Sequence, residues 1–146
     1  MTTVQQILKE KRAGTLTIGP RATVYQALEL MADKDIGALP VVDGDKLVGM
    51  FSERDYARKV VLHGRASKTT SVAELMTTKV FFVQTDTTAE ECMALMTEKR
   101  VRHLPVLDGD KLTGLVSIGD IVKATIIEQE ITIRSLKNYI TGSFEA

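Results

Sequence analysis

The chain has 146 residues, 44% hydrophobic and 26% charged, which suits one compact domain or two half-domains sharing a core. Nineteen basic residues balance nineteen acidic ones, so no bulk charge draws the protein to nucleic acid or an acidic membrane. No apolar run approaches the roughly 20 residues of a bilayer span, residues 1–12 carry no leader-like core, and Cys92 has no second cysteine to pair with, so a cytoplasmic protein is expected.

Residues 4–9 read as a short helix, and the KEKR run at 9–12 as a solvated helix face. A β-like run at 15–18 is closed by Gly19-Pro20. Val24, Ala27, Leu28 and Met31 then share one helical face over 23–34, with Thr23 as N-cap. Strands at 38–42 and 46–51 flank the hairpin turn Asp43-Gly44-Asp45. Ser52 opens a helix running towards Leu62, and a polar linker at 63–71 leads to a small helix at 72–76.

The same order then returns. A strand at 80–83 precedes a helix over 88–99, in which Cys92 sits beside Met93 and Met96 as a packing residue. Strands at 104–107 and 112–116 flank Asp108-Gly109-Asp110, and a helix begins at Ser117. This last helix is expected to continue to about Ile140, with Gly142 as its stop. Ile126, Ile133, Leu136 and Ile140 form a stripe on it that needs a covering surface, and a homodimer is the favoured one.

The return is a duplication. LPVVDGDKLVG at 39–49 recurs as LPVLDGDKLTG at 104–114, nine of eleven positions identical at a constant offset of 65. Ser52 and Asp55 map onto Ser117 and Asp120, and Thr23, Met31 and Lys34 onto Thr88, Met96 and Lys99. Two copies imply pseudo-twofold pairing, not an extended solenoid. The copies divide the chain into residues 1–68 and 69–146.

Each copy ends its third strand with Gly, two apolar residues, Ser, two variable residues and Asp. One reading is a capping box, Ser as N-cap and Asp as its reciprocal acceptor. The other is a ligand site. A helix N-terminus and a serine hydroxyl suit phosphate, a carboxylate one turn inside can accept both hydroxyls of a ribose, and the glycine permits close approach to the backbone. The second reading specifies ribose plus phosphate.

The doubled pattern resembles a pair of cystathionine-β-synthase (CBS) domains, the tandem known as a Bateman module. The likeness rests on Met76-Thr77 before the second first strand, the LPVV and LPVL strands, the DGDKL hairpins and the two Ser-x-x-Asp ends. It implies an α+β fold, two β-α-β-β-α motifs packed through their sheets about a pseudo-twofold axis, with an extended C-terminal helix added here. It also implies clefts for adenosine-containing ligands, with AMP first and ADP, ATP, NAD(H) or S-adenosylmethionine as further options. By the same resemblance Asp120 and Asp55 accept from ribose, and Ser117 and Ser52 face phosphate. Thr15, Leu16, Ile36, Gly37 and Ala38 close the adenine slot of the Asp120 cleft; Thr78, Val80, Val101 and Arg102 close that of Asp55. Pro40, in the first Leu-Pro, shapes a wall.

The clefts are not equal. Arg102 and His103 stand where the first copy has Gly37 and Ala38; the resemblance implies phosphate-binding groups there, which makes the Asp120 cleft the expected better AMP site. Arg54, Arg58 and Lys59 serve the Asp55 side, or form the exposed face of a helix. Tyr56 and Phe82 read as core residues. The DGD carboxylates are explained by turn chemistry, so no metal is assigned.

Three function classes follow. The leading one is a non-catalytic energy or redox sensor that signals through a second copy or an unidentified protein effector. The second is a nucleotide-independent dimeric scaffold with vestigial clefts. An enzyme is the weakest, because no catalytic triad spacing, His/Cys cluster, GxxxxGK[ST] loop or GxGxxG is present.

Overall fold

Both hairpins form at the DGD turns. In the computed structural model, which describes residues 1–12 and 14–141, β1 (Ala38–Asp43) pairs antiparallel with β2 (Lys46–Ser52). Short β3 (Val83–Gln84) runs parallel to β4 (His103–Asp108), which pairs antiparallel with β5 (Lys111–Ser117). Gly44 and Gly109 each take φ 63°, a left-handed geometry that a Cβ would strain. β2 and β5 touch, so the halves meet through their sheets.

The expected first strands, 15–18 and 80–83, shrink for one reason. Ile18 donates to the Pro40 carbonyl at 3.0 Å and accepts from Val42 N at 2.9 Å. The next rung back, at Leu16, would need an N–H from Pro40, and proline has none. Ile18 is therefore an isolated bridge to Val41. In the second copy β3 begins only at Val83, opposite Val106, because Pro105 blocks the rung at Phe81 in the same way.

Six α-helices accompany the strands among the described residues: α1 (Val4–Lys11), α2 (Val24–Lys34), α3 (Glu53–Asp55), α4 (Val72–Leu75), α5 (Ala89–Lys99) and α6 (Ile118–Thr141). Gly142, the expected stop of α6, lies outside the described residues. The single helix expected over 52–62 is instead the turn α3 followed by a π-helix, Tyr56–Val61. Along it Val60 stays buried while Lys59 reaches Asp55 Oδ1 at 3.2 Å and the Leu75 carbonyl at 3.1 Å.

The short helices are exchanged. Val4 and Ile7 of α1 enter the core of the second copy, with Val83, Cys92, Met96, Leu104, Val116 and Ile121. Val72 and Leu75 of α4 enter that of the first, with Val24, Met31, Leu39, Phe51 and Val60. Helix starts pair to fix this. Val4 N donates to Thr87 O and Ala89 N to Thr2 O; likewise Val72 N donates to Ala22 O and Val24 N to Thr70 O. Thr3, Thr23, Ser71 and Thr88 cap the four helices, each answered by Gln or Glu three residues on.

The repeated glycines serve the same exchange. A Cβ on Gly49 would lie 2.6 Å from Met76 Sδ and 3.0 Å from the Thr77 carbonyl; one on Gly114 would lie 2.7 Å from Leu8 Cδ2. Close approach is needed there, as the sequence indicated, but the group that approaches is the exchanged helix of the other half.

Candidate functional site

Both Ser-x-x-Asp segments form capping boxes. Asp55 Oδ2 accepts from Ser52 N at 3.0 Å, and Ser52 Oγ accepts from Asp55 N at 3.2 Å. Asp120 Oδ2 accepts from Ser117 N at 2.9 Å, and Ser117 Oγ accepts from Asp120 N at 3.1 Å. The first helical N–H is spent as well: Glu53 N donates to Gly37 O at 3.0 Å and Ile118 N to Arg102 O at 2.9 Å. Two of the first three donors at each helix start are therefore taken, leaving less for an anion than a free helix terminus offers.

What remains differs between the copies. Asp55 is spent: Ser52 Oγ also donates to Oδ2 at 3.0 Å, Thr77 Oγ1 donates to Oδ1 at 3.2 Å, and Lys59 pairs with Oδ1. Its side chain is 12% exposed. The hydrogen bonds that Asp120 takes from Lys11 Nζ and Ser117 N fall on Oδ2, among the described residues no N–H reaches Oδ1, and the Ser117 side chain also bonds the carboxylate. The Asp120 side chain is 23% exposed. One carboxylate is closed on both oxygens, while the other takes its Lys11 and Ser117 N bonds on Oδ2 alone.

Lys11 completes the Asp120 end. Its Nζ sits 2.9 Å from Asp120 Oδ2 and 3.2 Å from the Leu115 carbonyl, tying the end of α1 to the α6 start. Sequence reasoning gave KEKR to solvent and missed this, because only the helix exchange brings α1 to the second copy. Burial opposes charge on Asp120, but the Ser117 backbone hydrogen bond and Lys11 outweigh it and hold the carboxyl below its ordinary range.

His103 lies against Gly37, where a Cβ would be 3.5 Å from its Cε1. Burial pushes its pKa below the ordinary 6.5, and the charges of Lys11 and Arg102 act in the same direction against the pull of Asp120. It is thus neutral near pH 7, a hydrogen-bonding group without the charge of a phosphate clamp. As pH falls below about 6.5 the unfolded chain takes up this proton first, so stability falls with it. Thermal melts between about pH 7 and about pH 5.5 should show that decline, and His103→Gln should make it shallower; an unchanged slope would remove His103 from the account.

The other expected cations scatter. Arg54 donates to the Arg100 carbonyl of the opposite half at 3.3 Å, Lys59 is held by Asp55 and Leu75, and Arg58 and Arg102 are exposed. Ala38 and Pro40 are buried in β1, while Leu16, Ile36 and Val101 pack on the two cores. Thr15 donates to the Thr113 carbonyl of β5 at 3.0 Å, as Lys11 donates to the Leu115 carbonyl of the same strand at 3.2 Å.

Two related grooves open at the hairpin ends, of about 690 and 630 Å³. Thr78, Val80 and Phe82 line the first with Lys46–Val48; Thr15 and Thr17 line the second with Lys111 and Leu112. Phe82 is 48% exposed here, so its expected place in the core is corrected: with the β3 ladder starting at Val83, it faces the groove. Neither groove includes Asp55 or Asp120. Thr15, Thr78 and Val80, expected to close the slots, thus lie at the hairpin ends of β2 and β5, seven-residue strands of about 20 Å, whereas Gly37 and Ala38 lie at the other end with Ser52 and His103.

Among the described residues no group of three or more His, Cys, Asp or Glu could hold a metal, and no helix is long and apolar enough to cross a membrane. Cys92 is buried and its thiol is pushed up to about 11 by burial and by Glu91. The CBS domain family model matches residues 12–62 and again 72–126. A CBS-domain protein from Burkholderia ambifaria is 57% identical, with a TM-score of 0.83 over 88% of this chain and 96% of its own. The CBS domain-containing protein CBSX3, mitochondrial, of Arabidopsis thaliana is 37% identical across 98% of this chain and 74% of its own length. At 23% identity and a TM-score of 0.77, a CBS domain pair solved with 5'-methylthioadenosine and S-adenosyl-L-methionine shares the fold over 88% of this chain and 98% of its own.

Proposed function

Because the chain belongs to the CBS-domain family, as a tandem pair, we propose that it is a non-catalytic regulatory module that binds an adenosine-containing ligand at the Asp120 end. AMP is the first choice, with ADP, ATP, NAD(H) and S-adenosylmethionine as alternatives. The observation that carries this reading is Oδ1 of Asp120, which takes no bond from Lys11 or Ser117 N, where Oδ1 of Asp55 is taken by Thr77 and Lys59. Ribose hydroxyls donate to Oδ1, and Lys11 is the nearest cation for phosphate. A pair of the same fold that holds two adenosine-containing compounds supports the ligand class.

Signalling follows from the same contacts. Lys11 joins α1 to both Leu115 and Asp120, so a phosphate that engages Lys11 competes with a tether between the exchanged helix and α6. A ligand shifts the equilibrium only by the difference in its affinity for the tethered and released states. The Asp55 end, with its carboxylate closed, is structural. A dimeric scaffold with vestigial clefts is what that end alone would suggest.

Native mass spectrometry of the purified protein, followed by calorimetry of nucleotide-free protein with the five compounds, separates the two readings. The module binds at least one saturably, at one site per chain. No saturable binding of any of them leaves the scaffold.

A further inference from the structure

The second copy places a histidine where the first has an alanine. His103 opens β4 directly opposite Ser117 of β5, as Ala38 opens β1 opposite Ser52 of β2. Residues opposite each other in an antiparallel pair project from the same face, with Cβ atoms about 5 Å apart. The imidazole therefore stands beside the Ser117 side chain at the start of α6. The Ile118 N–H, bonded to the Arg102 carbonyl at 2.9 Å, holds the same two segments together. Ala38 offers Ser52 no such group, so the side chain whose charge changes near neutral pH belongs to the Asp120 end alone.

Few charges surround this imidazole. Lys11 at the end of α1 and Arg102 just before β4 repel a proton, and Asp120 at the start of α6 attracts one. Gly37, before β1, and Ser117, on β5, meet it without charge. Two positive neighbours against one negative leave a surplus of one positive charge, and burial acts in the same direction, so His103 is neutral in the nucleotide-free chain. A phosphate monoester brings about −1.5 to −2. Engaged with Lys11 beside the α6 start, it turns that surplus into a deficit and supplies oxygens to which an imidazolium N–H donates. Further burial under the ligand opposes this, but His103 is already half-buried and has little solvation left to lose.

We propose that the Asp120 end is a proton-linked site, in which a phosphate-bearing adenosine ligand is joined by a proton on His103 and binds more tightly as pH falls through neutrality. The inference rests on the adenosine reading of that end and adds its regulation. The proton comes from solvent and stays on the imidazole, and no bond of the ligand changes. Its contribution to affinity is full below the titration midpoint of the free protein and fades as pH rises through that of the complex. Adenosine without phosphate brings no such charge and binds without the proton. A fall in pH at constant AMP then raises occupancy and, through Lys11, loosens the tether between α1 and α6.

Proton NMR of the full chain tests this directly, because the chain has two histidines and His63 is exposed in the turn after the π-helix. The imidazole Cε1–H signals are followed against pH in nucleotide-free protein, with saturating AMP and with saturating adenosine. His63→Gln, at its exposed position, leaves the His103 signal alone in the spectrum. AMP moves the His103 midpoint up by about one pH unit or more and leaves that of His63 in place; adenosine moves neither. Saturable AMP binding with an unmoved His103 midpoint, or an equal shift with adenosine, overturns this inference and leaves the adenosine reading standing. Absence of saturable AMP binding overturns it together with AMP as the first choice of ligand.

Discussion

Phe51→Ala lowers the free energy of unfolding by about 3–5 kcal/mol, the range for an aromatic side chain removed from a close-packed core. Phe51 is 0% exposed and the largest fully buried side chain among the described residues. It sits opposite Leu39 in the β1–β2 hairpin, in a core completed by Val72 and Leu75 from the exchanged α4. Its loss therefore opens a cavity at the contact where the two halves hold each other's helices. Against a total stability of about 5–15 kcal/mol, it removes a large share, and chemical denaturation followed by circular dichroism measures it. A cost under about 1 kcal/mol would mean the core collapses around the gap and the exchanged helix is not tightly held.

Asp120→Ala weakens the binding of AMP by about 1.5–3 kcal/mol, the scale of hydrogen bonds to a charged group. In affinity this is between about tenfold and about a hundredfold. The change also frees Lys11 from its 2.9 Å contact and removes the capping acceptor of Ser117 N, so α1 loses one anchor to the start of α6. Capping loss alone costs about 1 kcal/mol of stability, so a folded variant is available for the binding comparison. Unfolding curves of the variant separate the two effects.

Much of this fold was legible in the sequence, and the reasons for the exceptions are physical. The constant offset of 65 gave the duplication, and the DGD turns gave both hairpins with their positive-φ glycines. The helical periodicities at 23–34 and 88–99 met their observed bounds to within a residue at the start. The helix exchange was not legible. The amphipathic spacing of Val4 and Ile7 says that one face is buried, but nothing local says against which half. Lys11 and the role of Gly49 and Gly114 followed that omission. The short first strands were legible in principle, since Pro40 and Pro105 remove a donor on the side where the parallel ladder would continue.

The geometry of the two Ser-x-x-Asp ends was legible in part, as capping boxes with different hydrogen-bond partners. Both Asp residues were picked out from spacing, and the inequality of the two ends was expected from Arg102-His103 against Gly37-Ala38. The structure bases the inequality on other groups. Thr77 and Lys59 close Asp55, while Asp120 takes its Lys11 and Ser117 N bonds on Oδ2 alone. His103, counted among phosphate-binding groups in the sequence, is kept neutral by burial near Lys11. Hydrogen-bond partners from distant segments decide such matters, and sequence spacing does not record them.

The central claim is that the Asp120 end, and not the Asp55 end, takes the adenosine-containing ligand. Isothermal calorimetry of AMP into nucleotide-free protein, natural and Asp120→Ala side by side, tests it most directly. The account predicts one saturable site per chain in the natural protein and an affinity reduced between about tenfold and about a hundredfold in the variant. Equal affinities in the two proteins, or no saturable heat in the natural one, would contradict it.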